Sequence, residues 1–160
     1  MPSLSRTEAT ERAALLTVES YHIDLDLTGG DEWFRSTTTV RFRSAVPGAA
    51  TFIEMRPVRL LGVRLNDSTL DPATLVDNRL PLTDLRAANL LTVEAEMPYS
   101  NSGEGLHRFV DPADGETYLY AMSFLDNAQR IFACFDQPDL KAPVTLTVTA
   151  PPQWTVVANA

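Results

Sequence analysis

Apolar and polar residues alternate along most of this chain, a pattern typical of strands that bury one face and expose the other. In residues 18–27 the apolar positions recur at every second residue from Tyr21 onward. After a turn at 29–31, residues 34–42 repeat the alternation with arginines on the polar side. The two stretches therefore predict a long hairpin. The facing polar rows predict cross-strand charge pairs between Asp24 and Asp26 on one strand and Arg35, Arg41 and Arg43 on the other.

Further stretches of the same kind, bounded by turn residues, predict more strands along the rest of the chain. They are residues 51–55, 60–65, 79–82, 90–97, 106–110, 117–122, 143–150 and 155–158. Two of them, 106–110 and 117–122, flank the turn-forming run Asp-Pro-Ala-Asp-Gly at 111–115 and predict a second hairpin.

Only the N-terminus has a helical pattern. Ser5 and Glu8 have the spacing of a capping box, in which each side chain bonds the backbone N–H of the other residue. Ala9, Ala13 and Leu16 then fall on one face, which predicts a helix of about ten residues. The fold class predicted for residues 1–160 is therefore a single all-β domain, a multi-stranded β-sandwich or saddle-like structure with a short N-terminal helix.

Charge and composition narrow the possible partners. The formal net charge of −8 makes nucleic acid and an anionic membrane surface unfavourable partners. No run of apolar residues approaches the ~20 that a membrane span requires. The N-terminus contains Glu8 and Glu11 and has no long apolar segment of the signal-peptide kind. A soluble, cytoplasmic protein is expected.

The residues that most often bind metals or act as nucleophiles are few. Cys134 is the single cysteine and lies in an apolar run, so a buried structural thiol is expected rather than a nucleophile. His22 stands among aspartates on a polar strand face and is interpreted as a solvated side chain. Asp111 and Asp114 lack the ligand spacing of a calcium loop and are interpreted as turn residues. No set of residues predicts a zinc site, because His22 and His107 are far apart and have no clustered partners.

Four motifs follow one another between Gly103 and Ala142. They are Gly-Leu-His-Arg-Phe at 105–109, Asp-Pro-Ala-Asp-Gly at 111–115, Tyr-Leu-Tyr at 118–120 and Cys-Phe-Asp-Gln-Pro at 134–138. In this order they resemble the zinc aminopeptidases of the aminopeptidase N type (gluzincin aminopeptidases), and only the N-terminal domain of that family. The resemblance extends toward both ends of the chain and covers essentially all of it.

This resemblance implies a function for a longer parent protein. A parent enzyme of this family would remove N-terminal residues from peptides by means of a zinc-activated water, with His-Glu-x-x-His on a later domain that this chain lacks. Zinc is thus expected in the parent, and none in this chain, which is expected to be inactive alone. The implied partners are the catalytic domain of the same polypeptide and the amino end of a peptide substrate. His107 by itself is interpreted as a side chain on a strand edge. The resemblance implies an alternative, in which His107 contacts the catalytic domain. In the turn, Asp136 is expected to accept backbone amides and Pro138 to fix the backbone.

One family feature is not matched. Most members carry Gln, one residue and then Glu after Tyr-Leu-Tyr, and that Glu binds the free amine of the substrate. An alignment without gaps places Met122 at the Gln and Phe124 at the Glu, and Asp126 supplies a carboxylate only if the strand slips by two residues or bulges. The substrate-binding residues implied are therefore Met122, Phe124 and Asp126. Residues 122–125 are also expected to be the centre of an exposed apolar surface that the catalytic domain would cover.

Two questions stay open at this point. Met122 and Phe124 either line an apolar pocket for the first substrate residue, or they mark a relative with a shifted preference or little peptidase activity. The alternative to the whole interpretation is a free-standing β-sandwich that binds a protein or a sugar. A His-Glu-x-x-His motif downstream in the reading frame decides between that alternative and the aminopeptidase.

Overall fold

Strands dominate the computed structural model, which describes residues 4–124 and 126–159. Its helix is α1 (Arg6–Leu15), and two short 3₁₀ segments lie at Pro72–Thr74 and Ala128–Arg130. The strands are β1 (Leu16–Asp26), β2 (Trp33–Ser44), β3 (Thr51–Glu54), β4 (Arg59–Leu65), β5 (Ser68–Thr69), β6 (Arg79–Leu82), β7 (Ala88–Pro98), β8 (Gly105–Val110), β9 (Thr117–Met122) and β10 (Val144–Thr149). The all-β fold with a short N-terminal helix is thus confirmed. No helix within the described ranges is long and apolar enough to cross a bilayer.

The largest sheet has six strands in the order β10-β1-β2-β7-β4-β5, and β10 pairs with β1 in parallel while the other neighbours are antiparallel. The predicted hairpin of β1 and β2 forms part of this sheet. The predicted charge pairs across this hairpin are confirmed only in part, since no direct ion pair among the described residues joins the two strands. Hydrogen bonds from Thr28 lower the pKa of Asp26, and the charge of Arg35 on the facing strand lowers it further. Asp26 does lie opposite Arg35, but its Oδ1 accepts hydrogen bonds from the amide and hydroxyl of Thr28 instead, at 2.9 and 2.6 Å.

The core lies between this sheet and the two-stranded sheet of β3 and β6. The alternating inward positions of β1, β2 and β7 share one buried cluster with Ile53, Leu80 and Leu82 of the small sheet. Phe42 of β2 contacts Phe135 edge to face, with ring centroids 5.3 Å apart. Burial of each such large side chain contributes about 1.5–3 kcal/mol to the free energy of folding. The contact between Phe42 and Phe135 therefore holds the segment around Phe135 against the sheet.

Helix α1 begins at the predicted capping box. The Ser5 hydroxyl accepts from the Glu8 amide at 3.2 Å, and the Glu8 carboxylate accepts from the Ser5 amide at 2.9 Å. The same carboxylate pairs with Arg79 of β6 at 2.7 Å. The most buried helix residue is Arg12 rather than one of the alanines that the apolar pattern singled out.

The second hairpin, β8 and β9, forms a small sheet of its own with continuous register from Gly105–Met122 to Val110–Thr117. In its loop the Asp111 carboxylate accepts from the amide of Ala113, and that of Asp114 accepts from the amide of Glu116. Both aspartates therefore act as turn residues, as predicted.

The strand predicted at residues 155–158 is wrong. After β10 the chain turns at 151–153, where the Trp154 amide donates to the Pro151 carbonyl at 3.0 Å, and residues 154–159 then continue without ladder pairing. Val157 is 89% exposed. The alternation of apolar residues identified one side of this segment, but a strand also needs a neighbouring strand, and none in the described part of the chain pairs with it.

Gly105 fixes the base of the second hairpin. Its φ is +69°, and a Cβ built on it would lie 2.8 Å from the Cβ of Arg130. Gly115 has a similar φ of +75° but open space around the same position. We expect Gly105→Ala to lower the free energy of unfolding by about 1–3 kcal/mol more than Gly115→Ala, because only the first adds a steric clash. Urea unfolding of both variants measures this difference, and equal losses would contradict it.

Glu8 gives the helix a pH-dependent attachment. The Ser5 amide and then Arg79 lower its pKa from the usual 4.5 to about 2. A lowered pKa means that the charged form stabilises the fold above about pH 4.5, and that this contribution disappears as the pH falls toward 2. We expect the difference in unfolding free energy between wild type and Glu8→Gln to be largest near neutral pH and to close in acid. Glu11→Gln, an exposed position on the same helix, is the matched control. A gap that persists at the lowest pH, or that the control reproduces, would contradict the assignment.

Candidate functional site

The residues singled out for substrate binding lie where β9 ends. Met122 is the last residue of β9 and pairs with Gly105, and Ser123 and Phe124 follow it. Met122 is 37% and Phe124 75% exposed, so the expected exposed apolar surface is present at both positions. Leu125, the remaining residue of that predicted surface, lies outside the described residues.

Asp126 follows this segment in a turn, with a left-handed φ of 65°. The pairing of β8 with β9 has no register shift up to Met122, so the strand itself contains no bulge that would move Asp126 into the place of Phe124. The Asn127 amide donates to the Phe124 carbonyl at 2.9 Å, which turns the chain immediately beyond the aromatic ring. Asp126 is exposed in this turn, and its substrate role stays a prediction.

An open groove of about 440 Å³ adjoins Phe124. The groove is mostly apolar, and we call it the Phe124 groove. It is lined by Tyr21, Ser123, Phe124, Ala128, Phe132, Cys134, Phe135, Asp136, Gln137, Pro138, Leu140, Ala142 and Val144. Asp136 is the charged residue in that lining. Such a surface suits an apolar side chain better than a strongly polar one.

One wall of the groove is the turn of residues 134–137, which strands β3 and β1 hold by hydrogen bonds. Glu54 of β3 exchanges two backbone bonds with Cys134, at 2.9 and 3.0 Å. The Phe135 amide donates to the Tyr21 hydroxyl at 3.1 Å, and the Asp136 amide donates to the Glu54 carboxylate at 3.3 Å. These bonds place the turn against the core.

Two predictions concern this turn. The expectation that Cys134 is a buried thiol is confirmed, and burial raises its pKa well above the usual value, so that the thiol stays protonated. The expectation that Asp136 accepts backbone amides of its own turn is wrong. Its Oδ2 accepts instead from the side-chain amide of Gln129 at 2.9 Å. The backbone amide of Asp136 donates to the carboxylate of Glu54.

A buried ion pair lies beneath the turn and was not found by sequence reasoning. Nη1 of Arg12 lies 2.8 Å from both carboxylate oxygens of Glu54, and its Nε donates to Oε1 of Gln137 at 2.9 Å. Burial raises the pKa of Glu54, and the contact with Arg12 acts against that rise. The only sequence signal was an arginine within the apolar face of a short helix.

A second polar group lies beside the Phe124 groove, around the 3₁₀ segment Ala128–Arg130. Gln129 links Arg56 to Asp136, accepting from the arginine Nε at 3.2 Å. Arg130 pairs with Glu104 at 2.9 Å. Burial lowers the pKa of Arg56, and the positive charge of Arg130 acts in the same direction. Burial raises the pKa of Asp136, and the nearby Asp126 carboxylate adds to that rise. Asp126 thus belongs electrostatically to this charged side of the groove.

The histidines offer no metal centre. The Nδ1 of His107 accepts from the Gly103 amide at 3.0 Å, and its ring lies 4.7 Å from that of Tyr120. His22 is exposed, as expected, and its Nε2 lies 3.4 Å from the Thr147 hydroxyl. Within residues 4–124 and 126–159, no three His, Cys, Asp or Glu side chains are arranged to hold a metal ion. The donor set here does not fit zinc, which requires three or four clustered ligands.

Comparison with known proteins gives one consistent result. Residues 19–160 match the family described as the peptidase M1 N-terminal domain. The chain is 50% identical over 161 aligned residues to aminopeptidase N of Streptomyces lividans, covering 98% of this chain and 19% of that protein. It is 38% identical over 79 residues to a probable M1 family aminopeptidase 1 of Encephalitozoon cuniculi, covering 48% of this chain and 9% of that protein.

A solved structure has the same fold. It is the aminopeptidase A of Legionella pneumophila in complex with aspartic acid, which matches with a TM-score of 0.67 and 15% identity. The match covers 83% of this chain and 16% of the Legionella chain. The chain therefore spans a fifth or less of the length of the relatives it matches.

The absence of clustered ligands leads to a direct test. We expect this chain to bind less than one zinc ion per molecule after dialysis against zinc, because neither histidine has a second ligand beside it. We also expect no cleavage of aminoacyl reporter substrates. Native mass spectrometry and a fluorescent reporter assay measure both. One tightly bound zinc ion that His107→Ala or His22→Ala removes, or hydrolysis that survives repurification, would overturn the expectation.

Proposed function

The chain belongs to the family of peptidase M1 N-terminal domains, and we propose that it is the first, non-catalytic module of a zinc aminopeptidase. In that role it walls one side of the active-site cleft and caps the amino end of the peptide substrate. The observation that carries the proposal is the match over residues 19–160, together with 50% identity to an aminopeptidase N across nearly the whole chain.

The proposal divides the work between two domains. The catalytic domain of the parent polypeptide would hold the zinc, whose chemistry is to activate a water for attack on the first peptide bond. This chain would contribute a surface that leaves no room for residues before the first one of the substrate. Removal of single residues would then follow from blocked space, with no reacting group in this domain.

The surface proposed to face the cleft and the catalytic domain is the outer side of the second hairpin and the segment after it. Several large apolar side chains there are between 37% and 75% exposed, namely Phe109, Tyr118, Tyr120, Met122 and Phe124. A contiguous apolar surface of this kind usually marks an interface. Phe124 also lines the Phe124 groove. This supports the proposal that the Phe124 ring lies beside the apolar side chain of the first substrate residue.

Phe124 gives the proposed site its character. The family resemblance aligns this ring with a glutamate that binds the substrate's ammonium group. An aromatic ring attracts a cation by about 0.5–2 kcal/mol, whereas a charge-assisted hydrogen bond contributes about 1.5–3 kcal/mol. The proposed enzyme therefore prefers bulky apolar first residues and acts weakly on small aminoacyl substrates.

The test uses the full-length enzyme. We expect Phe124→Glu to raise kcat/KM for small aminoacyl substrates by roughly tenfold, equivalent to about 1.4 kcal/mol of transition-state binding. The reason is that a carboxylate restores the missing charge beside the ammonium group. Val76→Glu is the matched control, because it adds the same charge at an exposed apolar position outside the Phe124 groove.

An unchanged or lower kcat/KM in a stably folded Phe124→Glu variant would mean that Phe124 does not face the cleft. Asp126→Asn then becomes the decisive variant. A loss of activity in Asp126→Asn alone would assign the ammonium contact to the turn after β9. If the full-length protein cleaves no aminoacyl or peptide substrate at all, the proposed function itself is wrong.

A further inference from the structure

Helix α1 precedes residues 19–160, the part that matches the peptidase M1 N-terminal domain, although the similarity to the Streptomyces aminopeptidase N extends across nearly the whole chain. The helix supplies the most deeply buried charged side chain of the described residues, Arg12, which is 3% exposed. Burial of a charge is costly unless it is paired and hydrogen-bonded, so the contacts of Arg12 reveal what the helix is attached to.

The hydrogen bonds of Arg12 lead to one place. Its Nε donates to Gln137 Oε1 at 2.9 Å, and Gln137 Nε2 returns a bond to the Ala9 carbonyl of the helix at 2.8 Å. Its Nη1 bonds both oxygens of Glu54. Glu54 in turn accepts from the Asp136 amide and pairs its backbone with Cys134. Both routes therefore end on residues 134–137.

The remaining side of the guanidinium is covered by aromatic rings. Nη2 of Arg12 is buried and has no hydrogen-bond partner among the residues that the structure describes. The guanidinium carbon lies 4.8 Å from the ring centroid of Phe52 and 5.9 Å from that of Phe135. Phe135 belongs to the same turn, so this cation–π contact adds a third link between the helix and residues 134–137.

The turn that Arg12 holds is also a wall of the Phe124 groove. Cys134, Phe135, Asp136 and Gln137 all line the groove, as does the exposed Phe124. We propose that Arg12 is a positioning residue, which acts through Glu54 and Gln137 to hold the turn 134–137 in the shape that forms the groove. Helix α1 then helps to shape the groove. The assignment of a substrate side chain as the ligand of the groove rests on the proposed function.

A positioning role differs from a purely stabilising one in a measurable way. A buried ion pair contributes little net stability compared with apolar residues of similar size. The double variant Arg12→Met with Glu54→Leu removes both charges and leaves no unpaired buried ion. The fold therefore survives, while the turn loses the bonds to Gln137 Oε1 and to the Asp136 amide.

Cys134 reports on the turn. It is the single cysteine of the chain and is buried, so a thiol reagent reaches it only when the turn or the whole domain opens. We expect labelling of Cys134 in the double variant to be at least tenfold faster than in wild type, at equal reagent and protein concentration. The free energy of unfolding, measured in urea, shows how much of this change comes from global opening.

The matched control removes the other ion pair of the helix. The double variant Glu8→Gln with Arg79→Met breaks the ion pair between α1 and β6 and removes no hydrogen bond of residues 134–137. Methionine keeps an apolar side chain beside the Phe52 ring, on which Arg79 packs. We expect its labelling rate to change by less than about twofold after correction for global stability. The proposal is overturned if labelling of the Arg12 variant rises only in proportion to its loss of global stability, or if the control variant labels equally fast.

The same variants in the full-length enzyme test the link to substrate. A displaced groove wall raises KM for peptides with bulky apolar first residues, by roughly threefold or more, and leaves kcat within about twofold. An unchanged KM, with faster Cys134 labelling, would overturn the link between groove and substrate. If the full-length protein has no peptidase activity, the proposed function fails, and Cys134 labelling alone still decides whether Arg12 positions the turn.

Discussion

Glu54 is a buried carboxylate at the end of a four-residue strand, and the surrounding structure is organised by the need to satisfy it. A carboxylate removed from water requires a cation and several hydrogen-bond donors. Here the cation is Arg12 of helix α1, and one donor is the Asp136 amide. The backbone of Glu54 also pairs with that of Cys134. Three segments that are distant in sequence therefore meet at one side chain, and the groove beside Phe124 takes its shape from that meeting.

The domain offers surface and shape, and several of its ionisable groups hold segments of the chain together. Gln129 and Asp136 are bonded to each other, Arg130 is paired with Glu104, and the thiol of Cys134 is protonated and buried. This arrangement suits the proposed function, in which a separate catalytic domain would carry out the reaction and this domain would limit how far the substrate can enter. A substrate-limiting wall must be rigid to be selective, and residues bonded on several sides provide that rigidity.

Strands β1, β2 and β7 could be predicted because each buries one face, so that a period of two is visible in the sequence. The two-residue strand β5 is exposed, has no such period and was not predicted. The capping box of α1 was visible for the same kind of local reason, since both partners lie within four residues. Arg12 and Glu54 could not be paired from sequence, because they lie on different elements and an arginine in a helix is usually solvated. The strand expected at residues 155–158 failed because alternation indicates a face and says nothing about a neighbour. At the candidate site, Met122 and Phe124 were placed at an exposed strand end as expected, whereas Asp136 had a partner, Gln129, that no local motif indicated.

The two edges of the six-stranded sheet differ in a way that affects how the chain behaves at high concentration. One edge is β5, which is only two residues long, and so offers little backbone for another strand to bind. The other is β10, six residues of alternating apolar residues and threonines without lysine or proline, with Val144 and Leu146 exposed. Natural sheets protect long edges with such charged or proline residues, and this edge has none of them. Mutual repulsion from the net charge of −8 is then the main barrier to edge-to-edge self-association. Since salt screens that repulsion, the colloidal stability of the chain declines as ionic strength rises.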